Sequence, residues 1–247
     1  MPTLREWLKS GPYTLALSAG YFGFFAHAGA LAVLEEEGLL PAKVCGASAG
    51  ALVAGLWAAG MNADGLKSQL LKVQRKDFWD PGWGAGLLKG QRFAELLESI
   101  LPNATFENCR VPVGISVYDT QKRTTCVLTR GSLSPAIRAS CALPVLFHPV
   151  AMNGTRYADG GVVDRPGVAG ASADARVLCH YLPSKSPWRF FYSPAQIPKA
   201  APGHVIVATT GLPRSGPFSL HVGAGAMAHA AAAFRARLDL PALVLSA

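Results

Sequence analysis

The stretch VCGASAGALVAG, residues 44–55, surrounds one serine, Ser48, almost entirely with glycine and alanine. It lies between a β-like run, KVCGA, and an apolar run of helical length. G-x-S-x-G is a common pattern, and it becomes informative when it stands between a strand and a helix. A sharp turn there forces the serine into strained backbone and crowds the residues two before and two after it. Gly46 and Gly50 are therefore expected to be required sterically.

This turn predicts a nucleophile elbow. Ala47 and Ala49 leave the approach to the Ser48 hydroxyl open. The helix that follows directs its positive N-terminal end toward the site, where a developing oxyanion is favoured. The alternative is a tight helix–sheet packing turn, which is a common use of glycine and alanine. The pentapeptide GASAG alone does not distinguish a nucleophile elbow from a packing turn, so other motifs in the chain are needed.

Strand and helix patterns alternate around this turn. Residues 13–18 and 43–47 are typical of strands, and residues 28–38 and 49–59 are typical of helices closed by a glycine. Such alternation predicts an α/β fold with a mainly parallel sheet covered by helices. The other predicted helices are 64–75 (N-cap Asp64), 91–101, 134–144 (opened by Ser134 and Pro135) and 223–238. The other predicted strands are 111–119, 124–131, 176–183 and 204–211. We also predict a turn at 120–123 and a long Pro/Ser-rich loop at 183–202.

Composition narrows the class of protein. The chain has 247 residues, of which 50% are hydrophobic and 15% charged, so we expect one folded domain over residues 1–247 and no extended disorder. The formal net charge is +8, but the cations are scattered in ones and twos. Without a basic block or zinc-finger spacing, no nucleic-acid partner is expected. A diffuse positive surface suits an anionic membrane, although ordinary solubility charge is the simpler interpretation.

Two features bear on the cellular compartment. The five cysteines are odd in number and widely spaced, which is typical of small core residues in a reducing compartment. Residues 11–34 contain no Asp, Glu, Lys or Arg, so a signal peptide or a spanning helix has to be considered. Gly20, Gly23 and Gly29 interrupt this run, and cleavage at AHA, residues 26–28, would remove a glycine-rich loop. We therefore expect buried core, and a protein that is cytoplasmic or peripheral to a membrane.

A serine nucleophile needs a base and an oxyanion site. The sequence YADGGVVD offers the carboxylate of Asp159 in a turn with Gly160 and Gly161, after the β-like run NGTRYA. The alternative for any Asp-Gly pair is a structural Asx turn. Asp159 is therefore a candidate base only in combination with the Ser48 turn.

Three blocks of this sequence together resemble the patatin-like phospholipases. They are LALSAGYFGFFAHAGALAVLEEEG (15–38), GASAGALVAGLWAAG (46–60) and AIRASCALPVLFHPVAMNGTRYADGGVVDRPG (136–167), which follow in the family's order. The resemblance implies a three-layer α/β/α sandwich with a mainly parallel central sheet. It also implies a Ser-Asp dyad of Ser48 and Asp159 without a catalytic histidine. The expected activity is hydrolysis of lipid or phospholipid esters, as in a phospholipase A, lysophospholipase or esterase, with no cofactor.

The glycine-rich loop departs from the family pattern. The family has Gly-Gly-Gly-x-x-Gly or Gly-x-Gly-x-x-Gly, whereas residues 18–23 here are SAGYFG. A second alignment, counted back from His27, shifts the loop by one residue. Because oxyanion donors are backbone N–H groups, the side chains can vary if the backbone conformation is retained. Gly20, Tyr21 and Ala49 are therefore predicted to supply the oxyanion hole.

Aromatic side chains near these blocks are candidates for an acyl groove or a membrane-facing lid. Phe22, Phe24 and Phe25 follow the glycine-rich loop, and Trp79 and Trp83 lie in DFWDPGWGAGLLKG, residues 77–90. Tryptophan flanked by Gly, Pro and Lys suits an interfacial segment, which predicts contact with a membrane surface. The alternative for each of these residues is an ordinary place in the core.

Two other functions fit parts of the sequence. An α/β-hydrolase with a Ser-His-Asp triad would draw its histidine from a set of four: His180, His204, His221 and His229. Its nucleophile normally follows several strands, however, and only two strands are predicted before Ser48. A non-catalytic lipid-binding protein on the same fold is supported by the altered loop. His27 is expected to be structural, and no spacing of His, Asp or Glu predicts a metal site.

Overall fold

The computed structural model describes residues 1–183, 201–242 and 245–246. Residues 184–200, most of the predicted Pro/Ser-rich loop, lie outside the described residues. In the described part the α-helices are α1 Leu4–Lys9, α2 Phe24–Glu36, α3 Ala49–Ala58, α4 Ala63–Lys72, α5 Gln91–Ile100, α6 Leu133–Ser140 and α7 Gly223–Arg237. The strands there are β1 Thr14–Leu17, β2 Lys43–Ala47, β3 Gly86–Leu88, β4 Val113–Asp119, β5 Thr124–Leu128, β6 Val145–Phe147, β7 Val150–Met152, β8 Thr155–Asp159, β9 Val177–Tyr181, β10 His204–Ala208 and β11 Leu245–Ser246.

A mainly parallel sheet organises the described residues. Six strands pair in parallel in the order β11-β10-β9-β1-β2-β4. Strands β8 and β7 continue the sheet in antiparallel orientation beyond β4, and β5 also pairs antiparallel with β4. Strands β3 and β6 form a separate two-stranded sheet. The predicted α/β fold with a mainly parallel central sheet is confirmed.

Both faces of the central sheet are covered, as expected for parallel strands. All four residues of β1 are buried. Leu15 and Leu17 belong to the main core, which includes the inward sides of α2, α3 and α7. Ala16 points to the other face and packs with Cys45 and Cys179 beneath residues 168–175. Continuous apolar runs in β1, β2 and β9 follow from this two-sided burial.

The charge-free residues 11–34 form β1, the glycine-rich loop and most of α2. Nine of the thirteen residues of α2 are buried, so the helix is apolar on nearly every side because protein surrounds it. Gly29 permits the closest approach of α7, since a Cβ there would lie 2.2 Å from the carbonyl oxygen of Met227. Within the described part of the chain, every helix is too short or too polar to span a bilayer.

Three helix starts differ from the sequence prediction. Helix α2 begins at Phe24, four residues before the predicted run 28–38. Asn62, not Asp64, is the N-cap of α4, because its side chain accepts the N–H of Gly65 at 2.9 Å. Asp64 lies in the first turn, where an acidic residue is favourable to the helix dipole. The N-cap of α6 is Ser132, two residues before the predicted cap, Ser134, which is buried in the first turn. Helix α1 and the β3–β6 sheet were not predicted, because both are very short.

Candidate active site

Strand β4 brings the ends of β2 and β8 together. The first part of β4 pairs in parallel with β2, and Ser116 lies opposite Ala47. The next residue, Val117, lies opposite Asp159, the last residue of antiparallel β8. Strands β2 and β8 therefore run toward each other along β4, and their ends meet. This topology places Ser48, which follows β2, beside Asp159.

The backbone at Ser48 is strained. Its φ and ψ are 53° and −119°, a conformation that non-glycine residues rarely adopt. A Cβ on Gly46 would lie 2.6 Å from the carbonyl carbon of Gly50, and a Cβ on Gly50 would lie 2.0 Å from the carbonyl oxygen of Leu17. Both obstacles are backbone atoms, so neither glycine can be replaced without moving the sheet or the helix. Gly46 and Gly50 are therefore required by close packing.

The C-terminal end of α6 holds the backbone of Ser48. The Ser48 N–H donates to Oγ of Ser140 at 2.9 Å, and the Cys141 thiol lies 3.3 Å from the Ser48 carbonyl oxygen. The Ser140 hydroxyl in turn donates to the carbonyl oxygen of Ser116 at 2.6 Å. Ser140 is fully buried. It therefore connects the strained residue to the middle of β4.

Asp159, the last residue of β8, is buried. One carboxylate oxygen accepts the N–H of Gly161 at 2.7 Å. Burial raises the pKa of Asp159 to about 6, and interactions with the Ser48 side chain and the Gly161 N–H oppose that rise. A carboxyl with a pKa near neutral is a better proton acceptor than an exposed aspartate.

Close packing explains the two glycines after Asp159. A Cβ on Gly160 would lie 2.1 Å from the carbonyl oxygen of Ser116. A Cβ on Gly161 would lie 2.4 Å from the side chain of Ala19 in the glycine-rich loop. The Asp-Gly-Gly turn therefore touches both β4 and the loop that follows β1.

A second buried carboxylate, Asp164, was not singled out from the sequence. It accepts the N–H groups of Val168 and Ala169 and a 2.6 Å hydrogen bond from the Ser116 hydroxyl. Asp164 thus anchors the chain that leaves the Asp159 turn. Asp164 is part of the sequence YADGGVVD, but the sequence does not show whether an aspartate there has a catalytic or a structural role.

The glycine-rich loop lies beside the Ser48 turn because β1 and β2 are adjacent and parallel, with Leu17 opposite Gly46. In this loop the Ala19 N–H donates to the carbonyl oxygen of Arg165, and the Gly23 N–H donates to that of Gly20. Gly20 and Tyr21, the predicted donors, occupy the intervening turn. Ala49, the third predicted donor, is the first residue of α3, where helical N–H groups have no partner within the helix.

His27 and His180 form a buried pair behind the loop. Nδ1 of His27 lies 2.9 Å from Nδ1 of His180, and Nε2 of His27 lies 2.8 Å from the Ser18 carbonyl oxygen. Nε2 of His180 lies 2.9 Å from the Thr209 hydroxyl. Because a carbonyl can only accept, His27 donates to Ser18, His180 donates to His27, and Thr209 donates to His180. The expectation that His27 is structural is confirmed.

Burial keeps both histidines neutral. It lowers the pKa of His27 to about 4 and holds the pKa of His180 well below its usual range. Two neutral rings can share one hydrogen bond, whereas two imidazolium rings would repel each other. The neutral pair anchors the Ser18 carbonyl at the start of the glycine-rich loop, and burial makes its protonation unfavourable.

The late histidines do not provide an evident base for Ser48. Both ring nitrogens of His180 are engaged, and His204 begins β10, at the edge of the sheet opposite Ser48. His221 is an exposed residue of the short 3-10 helix Leu220–Val222, and Nε2 of His229 donates to the Thr210 carbonyl at 3.0 Å. Asp159, by contrast, lies close to the Ser48 turn, because the ends of β2 and β8 meet along β4.

The aromatic candidates occupy different environments. Phe25 is 1% exposed and belongs to the core, which is the alternative given for it from the sequence. Trp79 packs against Phe218 with ring centroids 5.6 Å apart. Phe22 has a φ of 53° and packs against Phe24. Trp83, in contrast, is completely exposed.

An apolar cavity of about 260 Å³ adjoins the Asp159 turn. Ala158 precedes Asp159, and the carbonyl of Ala142 accepts the Asp159 N–H. The lining residues are Ala85, Tyr118, Thr120, Ala142, Pro144, Val145, Phe147, Pro149, Ala158 and Val162. Elsewhere in residues 1–183, 201–242 and 245–246, no three His, Cys, Asp or Glu side chains lie close enough to hold a metal ion.

The chain is similar to several known proteins. An uncharacterized NTE family protein of Mycobacterium tuberculosis (strain ATCC 25618 / H37Rv) is 30% identical over 181 residues, which are 70% of this chain and 50% of that protein. Neuropathy target esterase sws of Drosophila grimshawi is 26% identical over 172 residues, which are 65% of this chain and 12% of that protein. The chain spans about half the length, or less, of these curated relatives.

The fold is similar to that of VipD from Legionella pneumophila, with a TM-score of 0.65 and 15% sequence identity over 92% of this chain and 67% of VipD. At that identity, the likeness concerns the fold alone. The model of the patatin-like phospholipase family matches residues 15–172. These residues are more than half of the chain and include the glycine-rich loop, the Ser48 turn and the Asp159 turn, and the chain therefore belongs to the patatin-like phospholipase family.

Proposed function

We propose that this chain, acting as a single catalytic domain, hydrolyses carboxylic esters of lipids through an acyl-enzyme on Ser48, with Asp159 as the base. The observation that carries the proposal is the meeting of the ends of β2 and β8 along β4. It brings a serine on strained backbone close to a buried carboxylate. Lipid hydrolysis is the general activity of the patatin-like phospholipase family, and the dyad is the specific mechanism proposed for this chain.

In the first step, the Asp159 carboxylate accepts the proton of Ser48 as Oγ attacks the ester carbonyl. The proton then passes to the departing alcohol oxygen, the carbon–oxygen bond breaks, and an acyl-serine remains. In the second step, Asp159 accepts a proton from water as the water oxygen attacks the acyl carbon. The bond between that carbon and Oγ of Ser48 then breaks, the proton passes from Asp159 to Oγ, and the fatty acid leaves.

The oxyanion of each tetrahedral intermediate is assigned to backbone N–H groups of Gly20, Tyr21 and Ala49. Loss of one such donor typically costs about 2.7–4 kcal/mol of transition-state stabilisation. Ala49 contributes the first N–H of α3, so the positive end of that helix also faces the developing charge. Because all three donors belong to the backbone, the loop sequence SAGYFG can differ from the family pattern without loss of the donors.

The apolar cavity supports an acyl chain as the group bound next to the dyad. Its volume, about 260 Å³, is slightly below the lower end of ligand pockets, about 300 Å³. Aliphatic and aromatic side chains form most of its wall. We assign it to the acyl chain of the ester under attack, since that chain is the apolar part of the substrate nearest to Ser48.

The test is hydrolysis of a soluble short-chain ester and of mixed phospholipid vesicles by the wild type, Ser48→Ala and Asp159→Asn. Both variants are expected to lose at least about a hundredfold in kcat, the range seen when acid–base or nucleophilic groups are removed. A serine-directed fluorophosphonate should label the wild type and not Ser48→Ala. The kcat/KM of the wild type should decrease as the pH falls below about 6, where Asp159 becomes protonated.

The four late histidines provide the control. His180→Gln, His204→Gln, His221→Gln and His229→Gln should each retain Ser48-dependent hydrolysis if folded. Loss of activity in one folded histidine variant, with activity retained in Asp159→Asn, would replace the dyad with a triad. Absence of both labelling and hydrolysis in the wild type would favour the non-catalytic lipid-binding alternative.

A further inference from the structure

The exposed apolar side chains of this protein are distributed unevenly. Ten large hydrophobic residues are exposed in the described part of the chain, and six of them lie on segments around the candidate active site. These six are Tyr21, Trp83, Leu87, Val145, Val163 and Phe218. We call them the apolar rim. A concentration of exposed apolar surface next to a binding cleft marks an interaction surface.

Each member of the apolar rim is tied to the site by its neighbours. Tyr21 belongs to the glycine-rich loop, and Val163 follows the Asp159 turn. Val145 lines the apolar cavity and pairs with the strand that carries Leu87.

Phe218 is tied to the site through the segment that carries it. Ser215, three residues earlier, donates to the carbonyl oxygen of Phe22 in the glycine-rich loop at 3.2 Å. In contrast, the exposed Leu40 precedes β2, at the opposite edge of the sheet.

The loop that carries Trp83 is well anchored. The Asp80 carboxylate accepts the N–H groups of Gly90, Gln91 and Arg92, which caps α5. The Gly82 N–H donates to the carbonyl oxygen of Leu87, and this closes the loop. Trp83 is therefore held at the tip of a structured loop and is fully exposed. The fold itself therefore exposes this side chain, and its indole ring is available to a binding partner.

Cations accompany the apolar rim. Arg75, Lys76, Lys89 and Arg92 are exposed on the same segment, and the Arg75 guanidinium lies 5.0 Å from the ring centre of Phe218. The acidic residues of residues 75–92 are Asp77 and Asp80, and both accept backbone N–H groups. Tryptophan and tyrosine beside basic residues are characteristic of proteins that lie at a lipid–water interface.

We propose that the apolar rim is the surface by which this protein binds an anionic phospholipid bilayer, with Trp83 and Phe218 inserted at the interface. This inference extends the proposed function, and it rests on that function only in taking lipid as the substrate. Docking in this orientation turns the Ser48 edge of the sheet toward the lipid. The cavity entrance at Val145 then faces the acyl chains.

The experiment is sedimentation with vesicles of phosphatidylcholine alone or mixed with phosphatidylglycerol, in a Ser48→Ala background that leaves the vesicles intact. The combined variant Trp83→Ala/Phe218→Ala should bind the mixed vesicles at least about tenfold more weakly than the parent, because two large apolar side chains are removed from the contact. The matched control, Leu40→Ala/Leu240→Ala, removes exposed side chains before β2 and beside α1, and it should bind like the parent. Binding of the parent should decrease with added salt.

Equal binding by the Trp83/Phe218 variant and the parent would overturn the inference, as would equal weakening in the control. Binding that is independent of phosphatidylglycerol and of salt would overturn the anionic preference. With Ser48 intact, the Trp83→Ala/Phe218→Ala variant should retain its kcat/KM on the soluble ester. If the wild type fails to cleave that ester while vesicle binding still depends on Trp83 and Phe218, the proposed function fails and the docking surface stands.

Discussion

The turn after β2 and the loop after β1 lie side by side at one edge of the sheet, but different atoms constrain their glycines. In the turn, added Cβ atoms at Gly46 and Gly50 would lie 2.6 Å and 2.0 Å from backbone atoms. In the loop, added Cβ atoms at Gly20 and Gly23 would lie 3.1 Å and 2.5 Å from the side chain of Leu182. A backbone obstacle can move only with its strand or helix, whereas a leucine can change its rotamer.

This difference explains which sequence patterns vary. The turn keeps G-x-S-x-G because its glycines are required by rigid neighbours. The loop replaces two family glycines with Ser18 and Ala19, and the structure accommodates both residues. Ser18 is fully buried, and its hydroxyl accepts the N–H of Leu182 at 2.9 Å. The two segments therefore differ in what surrounds their glycines: a leucine side chain in the loop and backbone atoms in the turn.

The largest effect is expected at the turn. Gly50→Ala places a methyl group 2.0 Å from the Leu17 carbonyl oxygen, so β1 and α3 must separate. We expect a destabilisation of about 3 kcal/mol, the upper end of the usual cost of overpacking. Thermal unfolding measures it, with a decrease in Tm of about 2–4 °C for each kcal/mol. A Tm equal to that of the wild type would contradict the steric account.

The next effect is loss of stability in acid through His27, which anchors the loop. Its pKa is lowered by burial to about 4 in the folded protein, against about 6.5 when exposed. The folded state therefore binds this proton less readily than the unfolded chain does. The contribution of neutral His27 to the free energy of unfolding is complete above pH 6.5 and is lost as the pH falls through 4. Since one pKa unit is about 1.4 kcal/mol, the loss is about 3 kcal/mol when complete.

The acid experiment is best done in the Asp159→Asn background. Burial raises the pKa of Asp159, so its protonation stabilises the folded state as the pH falls and opposes the histidine effect. With that carboxylate absent, Tm should decrease between pH 6.5 and 4. His221→Gln, an exposed histidine variant, should follow the same curve, whereas His27→Gln should lose the steepest part of it. Superimposable curves for all three proteins would show that the pair does not anchor the loop.

A smaller effect is expected at Ser140. Ser140→Ala leaves the buried N–H of Ser48 without its acceptor, at a cost of about 1–3 kcal/mol. Because this N–H belongs to the strained residue, we expect kcat to fall about tenfold at nearly constant KM. Steady-state kinetics on the soluble ester measure both parameters. Ser134→Ala removes another buried serine of α6 and should leave kcat unchanged, and equal kinetic losses in the two variants would indicate a general packing effect.

The smallest effect is expected at Gly20. The nearest neighbour of a Cβ at Gly20 is the Leu182 side chain at 3.1 Å, and the backbone of Gly23 lies at an ordinary contact distance of 3.5 Å, so the stability of Gly20→Ala should stay within about 0.5 kcal/mol of the wild type. Its N–H remains in place, and kcat should therefore change by no more than about twofold. Thermal unfolding and ester kinetics of Gly20→Ala and Gly50→Ala form a matched pair. Equal damage from the two substitutions would remove the distinction between the turn and the loop.

Much of the fold was predictable because its elements are locally encoded. Strands β1, β2, β9 and β10 are apolar runs that need burial on both faces, and α2 and α3 end at glycines. The N-caps were predicted less well, because neighbouring polar residues such as Asn62 and Asp64 compete for one position. The β3–β6 sheet was missed, because three-residue strands carry little periodic signal. The family resemblance stated from three sequence blocks is confirmed by the match over residues 15–172.

The exposed surface was the least predictable part. Trp79 and Trp83 occur in the same short segment, and the sequence treats them alike. In the structure, Trp79 packs on Phe218, which is more than a hundred residues away, whereas Trp83 is fully exposed. Contacts between distant segments decide which tryptophan is available to a partner. Local patterns contain no information about such contacts.

By itself, the sequence determined the turn at Ser48, the parallel α/β sheet and the family. These depend on small residues at fixed spacing and on runs of apolar residues, which are local properties. Only the tertiary structure decided that Ser140 holds the Ser48 N–H, that His27 and His180 pair behind the loop, and that exposed apolar residues gather at one edge. Each of these needs side chains that are far apart in the chain, and their distances are set by strand order and register.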